Sequence, residues 1–270
     1  DMIGLPAEQV RVMIGDVGGG FGMKTGAYAE DVVTAYCAHH LKRPVKWIAD
    51  RSEEFLSSAH GRDIQCHAEM AIDETGKVLG LRIRTHANVG AYPGMTGIAI
   101  QVLTNTAPTG AYRGAGRPEA IFNIERLMDE AARQSGIDRV ALRRRNFIQP
   151  AQMPYKNPMG QTYDTGAFES VMDQGLKQAD WAGFDQRAAE SARKGLWRGL
   201  GIATFLEWTG GNALEENVNV RIMDDGVIEV FTAVNGMGQG IATTLAQLVV
   251  DIFKVPLSQV RIVMGDTDRG

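Results

Sequence analysis

Cysteine is almost missing from this chain. Of 270 residues only Cys37 and Cys66 carry a thiol, and neither stands in a CxxC pair or beside a ligand-spaced pair of histidines. A disulfide framework, a zinc site and an iron–sulfur site built by this chain are therefore excluded, and a reducing, cytoplasmic setting is expected. Long apolar runs are missing too, and no stretch approaches the ~20 residues that cross a bilayer. The opening, DMIGLPAEQVRVMIGD, lacks a basic segment followed by an apolar one, so it does not read as an export signal. Charge of one sign is not concentrated anywhere. The 28 Lys and Arg are spread among 32 Asp and Glu, for a formal net charge of -4, which leaves no basic stripe for a phosphate backbone. Nucleic acid is not an expected partner. Repeats of ~20–50 residues, the mark of solenoids, are absent as well.

What is present is apolar mass and glycine. With 44% hydrophobic residues the chain can bury one large core or two ordinary ones, and typical domain sizes favour two. Asp1 leads at once into a strand-like run, and the end, VMGDTDRG, stops as a glycine-containing loop begins; both edges are expected to be internal to a longer chain.

Periodicity sketches the elements. Gln9–Gly15 reads as a strand, VGGGFGMK as a loop, and AYAEDVVTAYCAHHLK as a helix. VKWIAD reads as another strand. CHAEMAID and VLGLRIRTHANVGAY form two strands around a turn at 74–77, where Gly76 supplies positive φ. Pro118 opens a helix through PEAIFNIERLMDEAARQS, Gly136 closes it, and IDRVALRRRNFI is a second helix. Beyond QPAQMPYKNPMGQTYDTG come a helix (FESVMDQGLKQAD), a strand (LGIATFLEW), a hairpin turning at Asp225–Gly226, and NGMGQG opening the helix IATTLAQLVVDIFK. One internal similarity stands out. QVRVMIGD, residues 9–16, returns as QVRIVMGD, residues 259–266. The expected fold class is α+β: two related mixed-sheet domains with packed helices, both incomplete here. The expected division is 1–150, a linker at 151–163 rich in Pro, Gly, Asn and Gln, and 164–270.

Three glycine-dense loops precede helices: Gly18–Lys24 (GGGFGMK), Gly110–Arg117 (GAYRGAGR) and Gly236–Gly240 (GMGQG). Glycine lets backbone N–H groups approach a ligand, and a helix N-terminus favours an anion. The first loop lacks the GK[ST] of a P-loop and is a poor dinucleotide fingerprint. Arg113 is a fixed forked cation, and Gln239 carries an amide NH₂ able to donate to an oxygen ligand of a metal. With no cluster of His, Cys and carboxylates, any metal arrives inside an organic cofactor that ligates it, which excludes zinc hydrolases.

GGGFGMK, PTGAYRGAGRPEAIFNIERLMDEAA, LRRRNFI, the YDTG linker, GMGQG and QVRIVMGDT together resemble, in order and across essentially the whole chain, the molybdopterin-binding large subunit of the xanthine dehydrogenase, aldehyde oxidase and aerobic carbon monoxide dehydrogenase family. Its AYRGAGR loop is similar to the form II-like version of that subunit. The resemblance implies a molybdenum-dependent oxidoreductase. It implies a molybdopterin cofactor, in its cytosine dinucleotide form, carrying molybdenum held by the pterin dithiolene rather than by protein side chains. Water is the implied oxygen source, with iron–sulfur clusters and FAD on partner subunits in a dimer of heterotrimers. Cofactor contacts are implied at Gly20, Phe21, Gly22, Arg113, Gly238, Gln239 and Gly240, with Arg113 and Gln239 as catalytic residues. The general-base glutamate is expected outside this chain, which alone is expected to be inactive.

Departures from the pattern bear on substrate. Thr25 stands where some relatives place a substrate-binding glutamate. Gly114 stands where copper-containing carbon monoxide dehydrogenases resemble AYRCSFR, so no copper is expected. Ala115 stands where purine-oxidising relatives resemble RGFG, which removes an aromatic stacking surface. The expected activity is hydroxylation of an aldehyde or aromatic N-heterocycle. The alternatives are a carbon monoxide dehydrogenase-like subunit and a non-catalytic cofactor-binding scaffold. Arg117 is expected in a surface bridge to Glu119 or Glu125, and Arg143–Arg145 as solvated or interdomain charge.

Overall fold

The computed structural model describes residues 2–91, 100–207 and 215–269. Helix α1 (Ala29–Leu41) is followed by α2 (Arg51–Ser57), which the sequence reading missed. Its signal was there: Asp50 accepts from Glu53 N–H at 2.9 Å while the Glu53 carboxylate accepts from Asp50 N–H at 2.9 Å, a capping box written as D-x-x-E. The strand expected at VKWIAD has no sheet partner among the described residues.

Strands β1 (Ile64–Ile72) and β2 (Val78–Gly90) form the expected hairpin, with Ile64 opposite Ala87 and Gly76 at φ 86° in the turn. Strand β3 (Ile100–Leu103) adds in parallel to β2. Helices α3 (Arg117–Ser135) and α4 (Arg139–Asn146) pack on this sheet, where Met128, Ala132 and Leu142 bury themselves against Met70, Val78 and Ile137. The segment expected to be an irregular linker contains a tight hairpin, β4 (Tyr155–Lys156) with β5 (Thr162–Tyr163). Helix α5 (Phe168–Gln178) follows, then α6 (Phe184–Arg193).

The second sheet repeats the plan of the first. Strands β6 (Val218–Ile222) and β7 (Ile228–Thr232) pair antiparallel through Gly226 at φ 83°, helix α7 (Ile241–Phe253) crosses over, and β8 (Val260–Val263) lies parallel to β7. Ile228, Val230 and Val249 form its core with Val260 and Ile262. The fold is α+β with two mixed sheets, as expected.

Two further expected strands, besides VKWIAD, are not strands. Residues 9–15 make only an isolated antiparallel bridge, Met13 to Asp266. The run from Leu200 to Glu207 pairs with no strand among the described residues, because side chains take its carbonyls instead: Arg139 donates to Leu200 O at 3.1 Å and Arg143 to Ile202 O at 3.3 Å.

Of the run expected to be solvated or interdomain charge, Arg143 is neither: it is buried and paired within its own sheet's helices. It is 1% exposed and its fork donates to Glu125 at 2.7 Å and Asp129 at 3.0 Å. Arg144 pairs with Glu169 and Asp173 on α5, and Arg145 donates to Thr75 O, so the helix ties the first sheet to the chain beyond it. Arg117 pairs with Glu207 at 2.7 Å, not with Glu119 or Glu125, both of which are taken by other arginines.

The accessible surface is 20,024 Å² for 29.3 kDa, against roughly 11,500 Å² for a compact monomer of that mass. Large side chains such as Met13, Ile48, Leu56, Val171 and Ile252 stand exposed.

Candidate functional site

The two copies of the QVR…GD motif meet and carry two of the three loops. Each copy follows the same proline turn, with Pro6 at φ -65°, ψ 149° and Pro256 at φ -63°, ψ 150°. Their ends then pair: Ile14 N–H donates to Gly265 O at 2.7 Å and Thr267 N–H to Val12 O at 3.1 Å. Arg11 grips Asp266 with both arms of its fork, Nε to Oδ1 at 3.0 Å and Nη2 to Oδ2 at 2.6 Å. That paired guanidinium holds the Asp266 carboxyl down at about 2. Gly265 sits at φ 71° so close to Ile14 O that a Cβ would overlap it, and on its other side lies Asn235 of the third loop, 3.3 Å from that same Cβ position.

The first loop grows directly from this junction. Gly20 is buried, and a Cβ there would lie 3.0 Å from Met237 Sδ, so the first loop touches the third. Gly22, at φ 97°, backs onto the second loop, where a Cβ would overlap Ala111 O. Phe21 takes φ 50° and leaves its ring exposed. The second loop answers it. Arg113 N–H donates to Phe21 O at 2.8 Å, and the Arg113 guanidinium lies 5.7 Å from the centre of the Phe21 ring, within cation–π range.

The third loop is built differently. Gly238 at φ 92° and Gly240 at φ 76° have open space where a Cβ would be. The Gln239 amide folds over its own loop: Oε1 accepts from Met237 N–H at 2.5 Å, and Nε2 donates to Asn235 O at 3.0 Å. Its second amide proton makes no hydrogen bond among the described residues, and Gln239 is exposed. Gly240 caps α7 in the left-handed conformation without a side-chain cap, so the first N–H groups of that helix stay available to an anion; at α3, by contrast, Arg117 N–H donates to Gly114 O at 3.0 Å, Pro118 has no N–H and Glu119 adds negative charge.

Backbone strain gathers here. Six non-glycine residues have positive φ among the described residues; Lys42 and Lys254 end helices and Asp180 precedes a short helical turn, whereas Phe21, Arg62 and Ala115 surround Arg113. The structure thus joins the first loop to the second through Phe21 and Arg113, and the first to the third through Gly20 and Met237. It makes no hydrogen bond between Arg113 and Gln239. Thr25 and Lys24 spend their polar groups locally, on Gly22 O at 2.7 Å and on Val17 O. Sequence reasoning missed Arg62, which lies in no motif, and gave no role to Asn235 and Met237, although both stand in NGMGQG. Among the described residues no group of three or more His, Cys, Asp or Glu is placed to hold a metal ion.

Residues 1–147 match the family model of a molybdopterin cofactor-binding domain, and residues 174–270 match a second model of that description. The chain belongs to the molybdopterin-binding large-subunit family of the xanthine and carbon monoxide dehydrogenases. Among relatives of this family it is 29% identical to the nicotine 6-hydroxylase large subunit of Paenarthrobacter nicotinovorans, over 99% of this chain and 37% of that one. It is 32% identical to the carbon monoxide dehydrogenase large chain of Afipia carboxidovorans, over 98% of this chain and 38% of that one. Quinoline 2-oxidoreductase from Pseudomonas putida 86 superposes with a TM-score of 0.91 at 33% identity, over 98% of this chain and 38% of the other. The chain therefore spans a little over a third of the length of these molybdopterin enzymes. A molybdopterin group fits the donor set: glycines with open Cβ space, the uncapped N-terminus of α7, a forked cation and an amide, with no protein metal ligands required.

Proposed function

We propose that this chain is the cofactor-facing part of a copper-free molybdenum hydroxylase large subunit that oxidises an aldehyde or an aromatic N-heterocycle. One observation carries the copper-free reading. Gly114 sits at φ 94°, and a Cβ there would lie 2.6 Å from Pro118 Cδ, so this loop holds no cysteine and has no room for one. Cys37 belongs to α1, and Cys66, on β1, lines a cavity beside the loop with its Sγ 3.4 Å from the Thr85 hydroxyl and belongs to no group of three or more metal-ligating side chains among the described residues. Ala115 leaves the pocket wall without a stacking ring. Relatives named for nicotine and quinoline chemistry stand beside carbon monoxide dehydrogenases of similar identity, so the choice of an N-heterocycle or aldehyde over carbon monoxide rests on Gly114 and not on the relatives.

When bound, the molybdenum–pterin group supplies oxygen transfer from water and accepts two electrons, which pass to iron–sulfur and FAD partner subunits. The residues of this chain hold and orient. Gly20, Gly22, Gly238 and Gly240 offer backbone N–H groups at close approach, and the N-terminus of α7 favours its anionic parts, including a cytosine dinucleotide tail. Arg113, steadied on the Phe21 ring, stabilises developing negative charge, and the free N–H of Gln239 donates toward the reacting centre. A glutamate elsewhere in the subunit acts as general base. The exposed apolar surface is covered by the rest of the subunit and its partners, in a cytoplasmic dimer of heterotrimers. The chain divides into domains at 1–150 and 164–270, with the β4–β5 hairpin in the connection.

The test is turnover by the complete enzyme with a dye acceptor. Aldehydes or N-heterocycles oxidised faster than carbon monoxide support the reading. Carbon monoxide oxidised fastest, or a fully assembled enzyme that oxidises nothing in the panel, overturns it.

A further inference from the structure

We propose that Arg62 is a positioning residue: with Glu119 as its anchor, it sets the Arg113 loop against the first glycine loop. This rests on the reading of Arg113 as a cofactor-facing residue. Arg62 lies in the segment entering β1, at φ 66°, a left-handed conformation that a side chain adopts only when its surroundings enforce it. Three contacts enforce it. Nε meets Glu119 Oε1 at 2.9 Å, Nη2 donates to Arg113 O, and the guanidinium lies 4.6 Å from the centre of the Tyr112 ring. The backbone of Arg113 is thus gripped at both polar groups, its N–H by Phe21 O and its C=O by Arg62. The neighbours of Arg62 lean on the same loop: Gly110 N–H donates to His60 O at 2.7 Å, and a Cβ on Gly61 would lie 2.7 Å from Tyr112 Cβ.

Glu119 supplies the fixed point. It stands in the first turn of α3, its Oε1 is paired to Arg62, and its buried Oε2 has no hydrogen-bond partner among the described residues. A buried carboxylate with one oxygen unbonded is costly without a cation against it, so Arg62 and Glu119 hold each other while Nη2 of the fork reaches the loop. Lysine, a point charge, can satisfy Glu119 but not all three directions.

The experiment uses the complete enzyme with Arg62→Met, Arg62→Lys and the double variant Arg62→Met/Glu119→Gln. The double variant removes both charges, so a purely structural role predicts recovery of stability and loop order together. Positioning predicts instead that the double variant regains its melting temperature, while amide exchange at Arg113 and Ala115 stays at least about tenfold faster than in the parent. It also predicts that kcat falls at least about tenfold, with KM changed less. Arg62→Lys, which keeps the charge, folds and shows the same two effects in weaker form. Parental exchange at Arg113 and Ala115 in the double variant, or in Arg62→Lys should the double variant not fold, overturns the proposal. Fast exchange with parental kcat upholds Arg62 as the loop's clamp and instead sinks the functional reading of Arg113.

Discussion

Gly22 shows how little freedom the site leaves. Its left-handed φ and the carbonyl of Ala111 at its back leave no room for a methyl group. Gly22→Ala is expected to cost on the order of 1–3 kcal/mol and to pull the first loop off the second, read as a lower melting temperature and lost activity in the complete enzyme. Gly114→Cys tests the copper reading at one atom: the thiol collides with Pro118, so the variant loses stability and gains no copper by metal analysis. A folded variant with a copper equivalent would contradict that. Gln239→Ala is expected to lower kcat by ~100–1,000-fold with molybdenum occupancy reduced less, because one preorganised donor goes while the backbone contacts of Gly238 and Gly240 remain. At this scale the motifs point to Phe21, Arg113 and Gln239, and the structure joins the first two while leaving the proposed roles of all three to mutational test. The sequence was silent on Arg62, because an arginine in HGRD is indistinguishable from a surface charge until its partners Glu119 and Tyr112, more than 40 positions away, are brought beside it.

Among elements, the hairpins β1–β2 and β6–β7 were legible from turn glycines and alternation, and α3 from Pro118 and Gly136. Residues 9–15 and 200–207 have the same strand-like composition yet form no ladder, since strand formation needs a partner edge that local pattern does not encode. The buried Arg143 was misread for a related reason: three successive arginines on a short helix look like solvent-facing charge until α3 presents Glu125 and Asp129. Arg143→Met leaves Glu125 buried without its cation, and a loss of ~3–5 kcal/mol is expected in denaturant unfolding. The Arg11–Asp266 clasp gives a pH signature. The Asp266 carboxyl is held at about 2, below its ordinary 3.8, so its contribution is fully present above pH ~4 and fades as pH falls through about 2. Arg11→Gln is expected to be less stable than the parent at neutral pH and to lose less between pH 4 and 2. Equal losses in that window would show that the clasp does not couple to folding.

At the scale of the whole molecule, the repeated QVR…GD motif is the device that unites the site. Each copy feeds or supports a loop, and their antiparallel contact brings the first and third loops to one place. The motif was visible in the sequence, but the contact between its copies was not, because 250 residues separate them. The large accessible surface and its exposed apolar side chains accord with the proposal that this chain supplies one wall of a pocket. Residues 1–270 expressed alone are therefore expected to expose apolar surface to a fluorescent hydrophobic dye, to retain no molybdenum and to show no turnover. Stoichiometric molybdenum in that piece would refute the incomplete pocket. The most direct test of the central claim is the molybdenum and copper content of the complete, purified enzyme. The account predicts about one molybdenum for each large subunit and copper at background; an assembled enzyme without molybdenum, or with copper equal to molybdenum, would contradict it.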